Sequence, residues 1–216
     1  MSDDHTRAYL GAYSRFTDEQ VGIDPHRAVG GAWDEIGQLQ FDFLRSQGLE
    51  PAHRLLDVGC GTLRAGRHLI RYLDAGHYVG FDISPKAIEF GEALVDTENL
   101  AAKLPRLFIA DGDLRFDALA GDRYDFVLAQ SVFTHLPAVS IVECFEHVGS
   151  VMAPDGRFFF TINESAELVE KPIGMDFRYP VRFFAELAAT HGFTLADRAA
   201  EYPHPRGQRM LEVRAR

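Results

Sequence analysis

The sequence is poor in cysteine and has no long apolar run, and each shortage excludes a class of protein. Cys60 and Cys144 are the only cysteines in 216 residues. They provide neither a disulfide framework nor, by themselves, a metal site, so we interpret both as reduced, buried side chains. No apolar run approaches the roughly 18 residues that a membrane-spanning helix needs. The polar start MSDDHTRAYL does not resemble a secretory signal, so we expect a cytoplasmic protein without a membrane association.

The sequence also lacks any run of lysine and arginine, and its formal net charge is −10. Proteins that bind nucleic acid usually present a basic face to the phosphates, so a small-molecule ligand is favoured over DNA or RNA. Hydrophobic residues make up 46% and charged residues 25% of the chain, which is typical of a globular protein. The length predicts a single domain over residues 1–216, with an N-terminal helical cap or lid at 1–50 and a core at 51–216.

Apolar runs alternate with helical stretches along the chain, and this order predicts an α/β fold with a doubly wound, mostly parallel sheet. Only the turn EYPHPRG separates the last two strands, so we expect them to pair in antiparallel fashion. The seven predicted strands are Leu55–Gly59, Tyr78–Asp82, Leu107–Ala110, Tyr124–Ala129, Arg157–Ile162, Phe193–Ala199 and Gln208–Val213. The predicted core helices are Arg64–Leu73, Pro85–Asp96, Pro137–Val151 and Pro180–His191, and Ser84 is the predicted N-cap of the second.

The segment LLDVGCGTLRAGRHLIRYLDAGHYVGFDIS places glycines and carboxylates at strand ends. Gly59 and Gly61 permit positive φ and a close approach of a ligand to the backbone. Asp82 ends the next strand, where a carboxylate is suited to accept hydrogen bonds from both hydroxyls of a ribose. A dinucleotide site requires a third glycine, and Arg64 stands at that position. S-adenosylmethionine is therefore favoured, while the dinucleotide remains an alternative.

At this point the sequence resembles the class I S-adenosylmethionine-dependent methyltransferases, in particular those that act on small-molecule oxygen atoms. The resemblance extends over residues 55–162, in the stretches LLDVGCGTLR, VGFDIS, FIADGDLRF and YDFVLAQSVFTHL. The upstream stretch AVGGAWDEIGQLQFDFLRSQGL is similar to a segment found in some bacterial members. The resemblance implies a Rossmann-like, seven-stranded sheet whose last strand is antiparallel.

The resemblance also implies cofactor contacts, which we assign residue by residue. Asp57 would orient the turn, and Gly59, Cys60 and Gly61 would lie against the methionine part of the donor. Asp82 would bind the ribose, and Arg64 would face the donor carboxylate. The remaining assigned contacts are Ile83, Asp113 and Leu114 at the adenine, Gln130 and Ser131 near the sulfonium, and Trp33 stacked near the donor.

Structural roles compete with several of these assignments. Cys60 fits simple packing, and Asp57 fits a structural cap. Asp113 fits an Asx turn, in which its side chain accepts from the backbone two residues on. Trp33 belongs to a set of aromatic residues at helical spacing, which are more often core than ligand contacts.

His135 is the leading candidate for a general base, because it follows the fourth strand and a neutral imidazole accepts a proton near pH 7. A packing or N-cap role is its alternative. Glu164, which follows the fifth strand, is a candidate for binding the acceptor, and His204 is a weaker third candidate. The side chains of Asn163, Glu164 and Asp176 have oxygen atoms that could bind a divalent metal ion. Their spacing matches no metal-binding motif, so we predict no metal site.

We therefore expect transfer of a methyl group from S-adenosylmethionine to a small molecule, at a hydroxyl oxygen of a sugar, glycan or natural product. S-adenosylhomocysteine would be the second product. A methyltransferase acting on protein or nucleic acid, and a non-catalytic S-adenosylmethionine-binding module, are the alternatives. A homodimer is compatible with the sequence.

Overall fold

The structure is a computed structural model that describes residues 3–173 and 175–216. Seven strands form one sheet in the order β3-β2-β1-β4-β5-β9-β8, and two more form a small separate sheet, β6-β7. The strands are β1 (Leu55–Val58), β2 (Tyr78–Asp82), β3 (Arg106–Ile109), β4 (Tyr124–Ala129), β5 (Met152–Ile162), β6 (Val169–Ile173), β7 (Asp176–Arg178), β8 (Phe193–Asp197) and β9 (Arg209–Ala215). The helices are α1 (Asp3–Ile23), α2 (Pro25–Ala28), α3 (Trp33–Ser46), α4 (Gly66–Tyr72), α5 (Pro85–Thr97), α6 (Ala138–His147) and α7 (Val181–Thr190). This arrangement confirms the predicted Rossmann-like fold.

One compact unit consists of Arg7–Gly112 and contains the first three strands. β1, β2 and β3 are parallel, with Leu55 opposite Tyr78 and Val79 opposite Arg106. Every residue of β1 and β2 is buried, in keeping with their sequences, which are apolar apart from Asp57 and Asp82. α5 begins as predicted, because Ser84 Oγ accepts a hydrogen bond of 3.1 Å from the backbone N–H of Ala87.

The other unit contains Asp113–Arg216 and, among the described residues at the start of the chain, residues 3–6. β4 and β5 are parallel, whereas β9 runs antiparallel to both β5 and β8, so the predicted reversal of the last strand is confirmed. On one face of β5, the side chains of Phe158 and Phe160 are fully buried and pack against other aromatic rings. The rings around Phe160 are Phe133, Phe145 and Phe184.

On the opposite face of the sheet in this unit, a buried carboxylate lies among guanidinium groups. Glu212 on β9 is 1% exposed and accepts hydrogen bonds from Arg157, Arg198 and Arg214. Burial alone would raise the pKa of Glu212, but the three arginine hydrogen bonds outweigh it and lower the pKa. The carboxylate is thus fixed in its charged form.

The small sheet β6-β7 was not predicted. In the sequence, Pro172 disfavours a strand at the position of β6, because proline has no backbone N–H to donate to a neighbouring strand. The start of β5 was also missed, since the letters MAPDG read as a turn. The N-terminal helices are found where helical structure was expected before Leu49, and the division of the domain at residue 50 stays a prediction.

In the part of the chain that the structure describes, no helix combines the length and the apolar character required to cross a bilayer.

Candidate functional site

The glycine turn after β1 is held by the carboxylate at the end of β2. Gly59 and Gly61 adopt φ of 65° and 54°, as the sequence predicted for a tight turn. The N–H of Gly61 donates to Asp82 Oδ2 over 2.9 Å, and the N–H of Ser84 donates to Oδ1 over 2.9 Å. Asp82 therefore connects the turn to the start of α5 and has a fixed orientation.

Asp82 retains the capacity to bind a ligand in this position. Its Oδ2 accepts a backbone hydrogen bond from Gly61 and its Oδ1 accepts one from Ser84, and each carboxylate oxygen has two lone pairs. Burial raises the pKa of Asp82, although the backbone hydrogen bonds of Ser84 and Gly61 oppose the rise. A buried acceptor pair with spare lone pairs is the arrangement that two adjacent hydroxyls of a ribose require.

Asp57 lies near the end of β1 and is buried. The hydroxyl of Tyr78 donates to its Oδ2 over 2.7 Å. Burial raises the pKa of Asp57 to about 7, with the Tyr78 hydrogen bond opposing the rise and the charge of Asp82 adding to it. The Tyr78 hydrogen bond supports the cap role that competed with a cofactor contact. The contact itself stays a prediction.

Cys60, between the two glycines, packs against the neighbouring strand. A Cβ atom built at Gly80 would lie 3.1 Å from the Cys60 Sγ, so the glycine on β2 makes room for the thiol. Both cysteines are free and buried, as predicted. Burial raises the pKa of each thiol, so neither is a reactive thiolate.

The segment before α3 covers the glycine turn. Thr62 Oγ1 donates to the carbonyl of Pro25 over 3.0 Å. The Arg64 guanidinium donates to the carbonyls of Val29 at 2.7 Å and Gly31 at 3.3 Å. Arg64 therefore holds residues 29–31, a role that the sequence did not indicate, and its predicted contact with the donor carboxylate stays a prediction.

α1 is attached beside Asp82. Ser14 Oγ donates to the carbonyl of Ile83 over 2.9 Å. Asp18 accepts from the hydroxyl of Ser84 and, over 3.1 Å, from the N–H of Lys86, so it caps the start of α5. Ile83 is in contact with the Gly112 position, where an added Cβ would lie 2.8 Å from its Cδ1. The sequence analysis missed Ser14 and Asp18, because their partners lie 69 and 66 residues away along the chain.

Trp33 lies in an aromatic cluster of the first unit. Its ring stacks on His26 at 4.2 Å between centroids and meets the edge of Phe90 at 6.3 Å. The Arg67 guanidinium lies 5.7 Å from its ring centroid. These contacts support the core role, and stacking on the donor stays a prediction.

In the second unit, Asp113 and Leu114 form a turn after β3. Asp113 is exposed, and its Oδ1 accepts from the N–H of Arg115 over 3.2 Å, which is the Asx turn considered as its alternative. Leu114 is buried, and its N–H donates to Glu143 Oε2 over 3.1 Å. Contacts of either residue with the adenine stay predictions.

Gln130 and Ser131 follow β4 within a polar network. Gln208 Oε1 accepts from the Gln130 amide at 3.0 Å, the Ser131 hydroxyl at 2.8 Å and the Thr161 hydroxyl at 2.9 Å. Tyr202 donates to Gln130 Oε1 over 2.9 Å. Ser131 adopts a φ of 57°, an uncommon conformation for a residue with a Cβ. The network fixes this turn, and its organising residue, Gln208, was assigned in the sequence only to a strand.

His135 lies in the loop between β4 and α6 with a quarter of its side chain exposed. Its Nδ1 is 2.9 Å from the carbonyl oxygen of Met175 and 3.2 Å from Asp176 Oδ1. A carbonyl oxygen accepts only, so Nδ1 donates its proton in that hydrogen bond, and in a neutral imidazole with this proton the lone pair is on Nε2. The geometry is therefore suitable for a base acting through Nε2.

Glu164 forms an ion pair. Its Oε2 accepts from Arg209 Nε at 2.9 Å and Nη2 at 2.8 Å, and Arg209 also contacts Asp197. His204 is buried, and its Nδ1 accepts from the N–H of Arg206 over 3.3 Å. Within residues 3–173 and 175–216, no group of three or more histidine, cysteine, aspartate or glutamate side chains is placed to hold a metal ion. The proposed acceptor role of Glu164 stays a prediction.

Comparison with known proteins gives one family and several similar structures. Residues 56–158 match the family model of a methyltransferase domain. The sterol 24-C-methyltransferase of Gibberella zeae is 25% identical over 132 residues, 61% of this chain and 33% of that protein. The chain thus spans about a third of the length of this curated relative.

Two solved structures illustrate the shared fold. Magnesium protoporphyrin IX methyltransferase of Synechocystis PCC 6803, crystallised with bound SAH, has a TM-score of 0.70 at 17% identity, covering 96% of this chain and 100% of that one. An S-adenosylmethionine-dependent methyltransferase of Leishmania major has a TM-score of 0.72 at 17% identity, covering 95% and 81%.

Proposed function

We propose that this chain is a class I S-adenosylmethionine-dependent methyltransferase and that it methylates a hydroxyl oxygen of a small-molecule acceptor. The acceptor class is a sugar, a glycan or a natural product. The single observation that carries the choice of oxygen is the hydrogen bond that leaves His135 Nε2 as a base.

The first unit supplies the cofactor contacts that the observed geometry supports best. S-adenosylmethionine, when bound, supplies a methyl carbon activated by a positive sulfur. Asp82 would hold the ribose hydroxyls, because its oxygens are buried, oriented by two backbone N–H groups and able to accept more. Gly59 and Gly61 would allow the methionine part to approach the backbone.

Further residues complete the proposed cofactor site. Ile83, whose carbonyl is fixed by Ser14, would pack beside the adenine. Asp113 and Leu114 would contact the adenine from the turn after β3. Gln130 and Ser131 would lie near the sulfonium, which is supported by the hydrogen bonds that hold their turn in one conformation.

A small-molecule acceptor is supported by composition and by the names of similar proteins. The matched proteins are named for a sterol and for magnesium protoporphyrin IX, both small molecules. The net charge of −10 also disfavours a nucleic-acid acceptor. The sterol enzyme is named for transfer to carbon, so the assignment to oxygen depends on the residues of this chain and not on the comparisons.

His135 would act as the general base. A hydroxyl is a weak nucleophile until its proton is removed, and a positioned base contributes typically 10²–10⁴-fold to the rate. Since Nδ1 holds its proton against the Met175 carbonyl, Nε2 would accept the proton of the acceptor hydroxyl. Glu164 would bind another polar group of the acceptor, with Arg209 setting its orientation.

The test is methyl transfer from isotopically labelled S-adenosylmethionine to a panel of hydroxyl, carboxyl, amine and carbon acceptors, read by mass spectrometry. We expect label on a hydroxyl oxygen. We also expect His135→Ala to lower turnover at least about 100-fold with donor affinity nearly unchanged. His147→Ala, a change at a half-buried histidine in the last turn of α6, is the matched control. Labelling only on carbon or nitrogen, or full turnover of His135→Ala, would contradict the proposal.

A further inference from the structure

The side chain of Asp176 lies next to His135 although 40 residues separate the two in sequence. Oδ1 of Asp176 is 3.2 Å from Nδ1 of His135, on the same nitrogen that contacts the Met175 carbonyl at 2.9 Å. Half of the Asp176 side chain is exposed, compared with a quarter of His135. The carboxylate therefore contacts the imidazole from a partly hydrated position.

The backbone around Asp176 is tied to the His135 loop by neighbouring hydrogen bonds. The N–H of Phe177 donates to the carbonyl of Thr134 over 2.7 Å, and the Tyr179 hydroxyl donates to the carbonyl of Leu136 over 2.6 Å. Phe177 and Tyr179 are both 1% exposed. Residues on both sides of His135 are thus fixed to the segment that carries Asp176.

The same segment is tied to the end of β5. The N–H of Tyr179 donates to the carbonyl of Asn163 over 2.9 Å, and the amide of Asn163 donates to the carbonyl of Phe177 over 3.4 Å. β7, which pairs with β6 in the small sheet, is therefore held between the loops that follow β4 and β5. This placement makes the contact between Asp176 and His135 a built feature of the fold.

We propose that Asp176 is a positioning residue that, together with the Met175 carbonyl, keeps the His135 proton on Nδ1 and stabilises the imidazolium formed during transfer. The inference depends on the proposed function, in which His135 is the base. An aspartate that fixes the tautomer of a catalytic histidine and stabilises its charged form is a known chemical solution in other enzymes.

The proposed methyl transfer breaks two bonds and forms two. The O–H bond of the acceptor breaks and its proton moves to Nε2 of His135. The acceptor oxygen forms a bond to the methyl carbon while the carbon–sulfur bond breaks and its electron pair stays on sulfur. The Nδ1 proton remains in place throughout, and the proton on Nε2 is later released to solvent.

The experiment compares the full chain with Asp176→Asn, in which an amide of the same size replaces the anion. Nitrogen-15 NMR of the imidazole reports which nitrogen carries the proton, without need of an acceptor. We expect the Nδ1–H form in the unmodified protein and a larger fraction of the Nε2–H form in Asp176→Asn, because the anion that stabilises the Nδ1 proton is lost and only the Met175 carbonyl remains to accept it. We expect kcat to fall about 10- to 100-fold, with the Kd of S-adenosylmethionine within about twofold.

Glu186→Ala, on the exposed side of α7, is the matched control for removal of a surface carboxylate and should leave both readouts unchanged. An unchanged tautomer in Asp176→Asn would overturn the inference, and so would an unchanged kcat. If Asp176→Asn fails to fold, Asp176→Ser provides the same comparison.

The two proposals fail in distinguishable ways. Absence of any methylated hydroxyl in the acceptor panel defeats the proposed function, whatever the NMR spectrum shows. An Nε2–H tautomer in the unmodified protein defeats the role of Asp176, even where a hydroxyl acceptor is methylated.

Discussion

The buried carboxyl of Asp57 should make the stability of this protein fall as the pH rises from 4 to 7. In the folded protein, burial raises the pKa of Asp57 from 3.8 to about 7. As the pH rises through this window, the unfolded chain releases the proton first, while the folded protein still holds it. The folded state therefore loses stability relative to the unfolded state, and the loss is complete above the folded pKa.

The magnitude follows from the two pKa values. A rise from 3.8 to about 7 corresponds to about 4 kcal/mol, at about 1.4 kcal/mol per pKa unit. Typical domains have free energies of unfolding of about 5–15 kcal/mol, so the effect is large enough to measure. Arg64, Asp82 and Tyr78 are the charged or hydrogen-bonding groups that act on this carboxyl.

The assay is urea unfolding at a series of pH values from 4 to 8, on the unmodified protein and on Asp57→Asn, which cannot titrate at this position. The free energy of unfolding of the unmodified protein, relative to that of Asp57→Asn, should fall by about 4 kcal/mol between about pH 4 and pH 8. Tyr78→Phe should move the change to higher pH, because the Tyr78 hydrogen bond lowers the Asp57 pKa. A difference that is constant with pH would refute the reasoning.

Three further predictions concern the segment that covers the turn and the buried ion pairs. Gly61→Ala should destabilise the protein by about 1–3 kcal/mol in thermal unfolding, since φ is 54° there and an added Cβ would lie 2.6 Å from Val29 Cγ1. The control is Gly48→Ala, where φ is 93° and an added Cβ would have no atom within 4 Å. An equal loss of stability in the two variants would argue against the close contact at Gly61. Arg64→Met should increase amide exchange at residues 29–31 at least about tenfold, and unchanged exchange would show that Arg64 does not hold them. Glu212→Gln should cost about 3 kcal/mol in urea unfolding because three arginines lose their anionic partner, and a cost below about 0.5 kcal/mol would contradict this account.

Much of the fold could be predicted because the central strands are continuous apolar runs between turn residues. β2 and β4 have the predicted bounds, and Ser84 caps α5 as expected. The β6-β7 sheet could not be predicted, because Pro172 lies in β6 and β7 is only three residues long. Three residues are too few to show the alternation of apolar and polar residues that identifies a strand, so such a strand depends on its tertiary neighbours.

The candidate site was predictable where a local motif carried it, as at Gly59, Gly61 and Asp82. The supporting contacts were not, because they join residues far apart in sequence. Asp18 caps α5 from 66 residues away, and Gln208 contacts Gln130 from 78 residues away. A single sequence contains no signal for such a pairing, since each partner is an ordinary polar residue in its own segment.

Titration calorimetry with S-adenosylhomocysteine measures whether Asp82 holds the ribose of the cofactor, as we propose. Asp82→Ala should weaken binding by more than about tenfold, as expected for the loss of charge-assisted hydrogen bonds to two hydroxyls. Asp96→Ala, which removes an exposed carboxylate from α5, should leave the affinity unchanged. Equal affinity in Asp82→Ala and the unmodified protein would contradict the account.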